Sequence, residues 1–100
     1  MTRSELDSIL RTTIGSTHVY FQPSETVMIK YPCVIYKLDN IPTLDADDLK
    51  YKMNTVYQLI YVTKSPTDPN VHKLAMLPRS SFERFYTIDE LNHYVYRIYT

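Results

Sequence analysis

The chain has 100 residues, no net charge by formal count, ten tyrosines, one glycine, one cysteine and no tryptophan. That length makes one domain with a modest core. Zero net charge argues against a nucleic-acid-binding surface, and a lone cysteine excludes an internal disulfide.

Thr2–Ile14 reads as a helix. Thr2 and Glu5 have capping-box spacing, and Leu6, Ile9, Leu10 and Ile14 form one apolar stripe. Gly15 stands where a left-handed C-cap is wanted, and Asp7 and Arg11 are spaced as an i,i+4 ion pair on the wet side. The N-terminal stretch MTRSELDSIL has no apolar core of the signal-peptide kind. No apolar run approaches the length of a membrane span.

His18–Gln22 predicts a short strand stopped by Pro23, followed by a turn at Ser24–Glu25. Val27–Tyr31 and Cys33–Leu38 read as strand on both sides of Pro32, which lacks the N–H a ladder needs. Cys33 lies in the apolar run CVIYKL, so a buried structural thiol in a reducing compartment is the expectation. Asp39–Met53 shows no clear period and carries Pro42, Asp45, Asp47 and Asp48; it reads as a long loop.

Asn54–Thr63 is the candidate central strand. Thr55, Tyr57, Leu59, Tyr61 and Thr63 alternate with Val56, Gln58, Ile60 and Val62. Gln58 is the only polar residue of the second set, so that face is expected to be the buried one. The tyrosine face is expected to be half wet or covered by a partner. Asp68 as N-cap and Pro69 at the first helical position predict a second helix of about two turns. Its apolar face is Val71, Leu74 and Ala75, and Pro78 ends it. Ser81–Thr87 and Asn92–Tyr99 form a hairpin with Asp89–Asn92 as the turn. Phe82 and Phe85, three apart in a strand, should point to opposite faces, so that at least one is core.

The order is α-β-β-β-α-β-β, an α+β domain over residues 1–100. It predicts a mainly antiparallel sheet of four to five strands flanked by the N-terminal helix and a short second helix.

Catalytic and metal-binding signals are missing from this pattern. His18, His72 and His93 are scattered, with no second ligand at metal-like spacing. The Asp45, Asp47 and Asp48 cluster lacks the glycine and distal glutamate of a calcium loop. A single glycine cannot build a phosphate-cradling loop. The expectation is a non-enzyme with no metal and no cofactor. Ten tyrosines exceed what so small a core hides, so some are expected at subunit contacts.

Three segments, YPCVIYKLDNI at 31–41, the strand at 54–63 and FERFYTIDELNHYVYRIY at 82–99, together resemble the tail-terminator or tail-completion family of neck proteins of long-tailed bacteriophages. The KSPTDP turn at 64–69 fits the same pattern, and the likeness runs over nearly the whole chain. The resemblance implies a ring, usually hexameric, on top of the tail tube, where it stops tube growth and docks the head connector. The partners would be the chain itself, the tail-tube protein and the head-closure or connector protein. DNA would only pass through the lumen, no membrane would be involved, and the protein would reside in the virion after assembly in the host cytoplasm. Asp45, Asp47, Asp48, Tyr51, Tyr57 and Tyr61 are the candidate assembly residues. The segment 39–53 is expected to become ordered in the ring by reaching a neighbouring subunit or the tube, its aspartates facing basic residues or the channel. The alternative is a small adaptor that binds a host protein through a sheet edge or tyrosine face.

Overall fold

The computed structural model describes residues 2–23, 28–40, 43–46, 49–53 and 55–99; for residue 40 and the described residues between 43 and 53 it describes the backbone alone. Helix α1 is Arg3–Ile14 and α2 is Asn70–Ala75. The strands are β1 (Val19–Phe21), β2 (Cys33–Asn40), β3 (Thr43–Ala46), β4 (Leu49–Met53), β5 (Val56–Thr63), β6 (Ser80–Ile88) and β7 (Leu91–Tyr99). Five of them form one sheet in the order β1-β2-β5-β7-β6, while β3 and β4 pair with each other as a second sheet. Among the described residues only β1 and β2 run parallel, and every other pairing is antiparallel. The expected α+β class and the main-sheet order α-β-β-β-α-β-β therefore hold.

The signals that define α1 work as read, with one variation. The Glu5 N–H donates to Thr2 Oγ1, and the Thr2 hydroxyl in turn donates to the Glu5 carboxylate. Gly15 closes the helix at φ 65°, its N–H returning to the Arg11 carbonyl, and Ser16 N–H does the same. Leu6 and Leu10 are fully buried, as is Leu74 of α2. These three leucines meet Val34, Tyr36, Tyr57, Leu59, Tyr61, Tyr96 and Ile98, so both helices lie on one face of the main sheet. Burying each leucine contributes roughly 1.5–3 kcal/mol. At the start of α2, Pro69 occupies the cap position rather than the first turn, and the Asp68 carboxylate still takes the Asn70 N–H at 3.0 Å.

Four readings are corrected. First, the side of β5 that packs under the helices is the tyrosine side, Tyr57, Leu59 and Tyr61; on the other side, expected to be the buried one, Val56 and Val62 are buried but Gln58 and Ile60 only half so. A tyrosine ring is as good a core filler as an aliphatic chain once its hydroxyl finds a partner, and Asp7 of α1 and Asp68 before α2 supply one. Second, residues 28–32 are not strand; β2 begins at Cys33, directly after Pro32, and the Lys30 N–H donates to the Tyr20 hydroxyl instead of a ladder. The Ser24–Glu25 turn and Val27 lie outside the described residues.

Third, the segment 39–53 is not one loop. It carries the end of β2 and the β3–β4 pairing, from Thr43↔Met53 to Ala46↔Leu49 with one register shift. The alternation of Leu49, Tyr51 and Met53 with Lys50 and Lys52 is a period-two signal, short enough to be hidden by the flanking aspartates and proline. Fourth, neither Phe82 nor Phe85 is core. Their exposures are 50% and 51%. A β-bulge explains why the opposite-face argument fails. Phe82 pairs with Tyr96 and Arg84 with Val95, so Glu83 is an extra residue and Phe82 and Phe85 share one face.

Candidate functional site

The three tyrosines at the centre of the sheet are anchored from above. Tyr36 donates to the Asp7 carboxylate of α1 at 2.7 Å, Tyr61 donates to Asp68, and Tyr96 donates to the Val71 carbonyl of α2 at 2.7 Å. Asp68 also accepts from Thr63, and the Asn70 amide bridges the Tyr61 hydroxyl and the Ile14 carbonyl at the end of α1. One polar knot therefore joins β5, both helices and the turn before α2. Desolvation, with the hydrogen bond to an aspartate, pushes the Tyr36 and Tyr61 hydroxyls up to about 12. Tyr96 is raised as well, mainly by burial. Desolvation works against the Asp7 charge, but the hydrogen bonds from Arg11 and Tyr36 outweigh it and hold the carboxyl below its usual value. These hydroxyls stay protonated and their acceptors are occupied, so the knot clamps helices to sheet.

Tyr57 and Tyr61, both expected at a subunit contact, lie in the chain's own core at 8% and 0% exposure. Tyr57 belongs to an aromatic cluster with Phe21 and Tyr36, at ring separations of 6.3 and 6.0 Å, and the Arg3 guanidinium caps Phe21 at 4.5 Å. Asp45 falls on β3 and Tyr51 on β4, while Asp47 and Asp48 lie outside the described residues. The structure thus brings Asp45 and Tyr51 into one hairpin and separates them from the two core tyrosines. Cys33 is buried, and desolvation pushes its thiol up to about 12, away from the nucleophilic thiolate. Among the described residues no three metal-ligating side chains cluster.

Exposed apolar side chains include Met28 and Met76 outside the sheet and a row of three along strand β6. Phe82, Phe85 and Ile88 are each about half exposed along this terminal strand of the sheet. Phe82 leans on Tyr96 and Phe85 on Tyr94, at ring separations of 5.5 and 5.0 Å. On the face away from the helices, Arg97 lies between Asp39 and Glu83, its Nε 3.0 Å from each carboxylate. A solvent-open cavity of about 570 Å³ lies elsewhere, lined by Lys30, Tyr31, Pro32, Thr63, Lys64, Ser65 and Asp68. Its one carboxylate is the Asp68 already bound by Tyr61 and Thr63. Sequence reading missed β6 as a surface because it set Phe82 and Phe85 on opposite faces and so expected at least one of them to be core; the signal was the F-E-R-F spacing, read without the bulge.

Together these elements define an α+β two-layer domain with a sealed tyrosine core, a hairpin outside the main sheet and an aromatic terminal strand. No family model matches the chain, and no curated protein matches it.

Proposed function

We propose that the chain is a virion structural protein that assembles into a ring, hexameric as in the family it resembles, at the head–tail junction. There it ends the tail tube and joins it to the head connector, with the tail-tube and head-closure proteins as partners and DNA only passing through the lumen. The observation that carries the reading, beside the resemblance, is the β3–β4 hairpin. Among the described residues it pairs with no strand of the main sheet. A lone two-stranded hairpin is marginal in water, so a surface on a neighbouring subunit or on the tube below is its natural complement. Asp45 stands opposite Lys50 in the hairpin, but Asp45, Asp47 and Asp48 still outnumber Lys50 and Lys52, a weakly acidic balance suited to basic partner residues or to a lumen that repels the DNA backbone. Light scattering on the purified protein and electron microscopy of virions test the proposal, and absence of the chain from purified virions sinks it. Replacing 46–52 by a short Gly-Ser linker should leave the monomer folded while rings and infectious particles are lost.

The exposed strand β6 favours a second reading, a free adaptor that adds a host segment to the sheet edge. Recovery of one stoichiometric host protein without any virion protein in a pull-down would select it.

A further inference from the structure

We propose that β6 is a self-complementary contact: two copies of this chain pair their β6 strands antiparallel about a two-fold axis passing between Glu83 and Arg84. The contact is distinct from the head-to-tail one a ring requires, because an isologous interface closes at two copies, and it does not rest on the ring reading.

Strand β6 ends the sheet, so its outer backbone edge has no partner strand among the described residues. Such edges template pairing unless they are short, charged or covered. The opposite edge, β1, has three residues, whereas β6 has nine, and exposed positions fill most of it. Its centre reads Phe82-Glu83-Arg84-Phe85, self-complementary on reversal: aromatic, acid, base, aromatic. Antiparallel pairing about the midpoint sets Phe82 opposite Phe85 of the second copy and Glu83 opposite Arg84 of the second copy, each twice.

In a regular strand this register would fail. Cross-strand partners must project from the same face, and residues an odd number apart do not. The bulge removes the obstacle. Phe82 and Phe85 stand opposite Tyr96 and Tyr94, on the helix-bearing face. Glu83 reaches Arg97 and Arg84 pairs with Val95, on the other face. The face sequence is thus symmetric about the midpoint, and every proposed pair shares a face. Registers centred on Glu83 or on Arg84 would set like charges directly opposite each other, which is unfavourable.

The charges within one copy are left uneven in the way this contact would correct. Asp39 and Glu83 share the single guanidinium of Arg97. Arg84 has no carboxylate partner among the described residues; its guanidinium lies 5.8 Å from the Tyr86 ring centre. Arg84 of the second copy would supply the second cation to the two carboxylates, and the half-exposed phenylalanines would cover one another.

Sedimentation velocity over a concentration series, with disulfide mapping, tests the proposal. The wild-type chain should show a dimer that Arg84→Glu shifts to monomer with an unchanged circular dichroism spectrum. A mixture of Phe82→Cys and Phe85→Cys chains should form a disulfide-linked heterodimer on mild oxidation, while neither variant alone links at these positions. A strictly monomeric wild type, an unchanged Arg84→Glu dimer, or linkage of Phe82→Cys to itself overturns the contact. If the chain forms rings whose mixed variants do not cross-link, the contact falls and the ring reading stands. If the cross-link forms and the chain is absent from virions, the reverse holds.

Discussion

The centre and the edge of the sheet invert the usual hydrophobic order. Tyr36, Tyr61 and Tyr96 are fully buried, while Phe82 and Phe85, which have no polar atom, are half exposed. The difference lies in what each position sees. β2, β5 and β7 run beneath the helices, which with the turn before α2 offer Asp7, Asp68 and the Val71 carbonyl to the phenol groups. β6 is terminal and lies outside the apolar cluster that holds the three helix leucines. Place in the sheet, with a partner for the hydroxyl, decides burial here more than side-chain polarity does.

That contrast predicts a graded set of outcomes. The largest belongs to the centre: Leu59→Ala empties a fully buried position and should cost about 2–5 kcal/mol. That loss takes much of the 5–15 kcal/mol typical of a domain, and a urea melt should show the midpoint collapse. Tyr61→Phe keeps the ring but removes the donor to Asp68 and the acceptor for Asn70, and should cost roughly 1–3 kcal/mol in the same melt. At the edge, Phe85→Ala gives up one ring contact with Tyr94 and should cost only about 0.5–1.5 kcal/mol. A loss there as large as that of Leu59→Ala would abolish the distinction between centre and edge.

Alkaline titration sharpens the same point. The Tyr36 and Tyr61 hydroxyls are raised from 10.0 to about 12 in the folded chain. Between those values the folded state holds protons that the unfolded state has lost, so stability is intact below about pH 10 and falls as pH rises through 12. Thermal melts from pH 9 upward, with Tyr36→Phe or Tyr61→Phe each flattening the fall, check this. The smallest effect is at the β6–β7 turn, where Asp89 and Glu90 have φ of 52° and 65°. A turn of this kind favours glycine at its second position. Glu90→Gly should therefore stabilise by roughly 0.5 kcal/mol, the relief of left-handed strain less glycine's greater unfolded freedom.

Much of this fold was legible in local signals. Thr2, Glu5, the leucine stripe and Gly15 bound α1 to within a residue, because caps and helical periodicity act within a few residues of each other. Period-two alternation found β5 and β7, and the aspartate and proline before α2 marked its start to within one residue. Of the candidate assembly residues, Asp45 and Tyr51 belong to a hairpin whose own alternation was present but brief. Which face of β5 lies under the helices was not legible, because both faces are apolar enough and the choice depends on where Asp7 and Asp68 end up in space. Nor was the exposure of Phe82 and Phe85: it follows from β6 taking the terminal place in the sheet and from one extra residue in its ladder. The sequence by itself determined the two helices, the strands of the main sheet and their order, since those rest on backbone and side-chain preferences of near neighbours. Only the tertiary structure decided which aromatic rings are sealed and which are offered, because strand order and register arise from contacts between residues far apart in the chain.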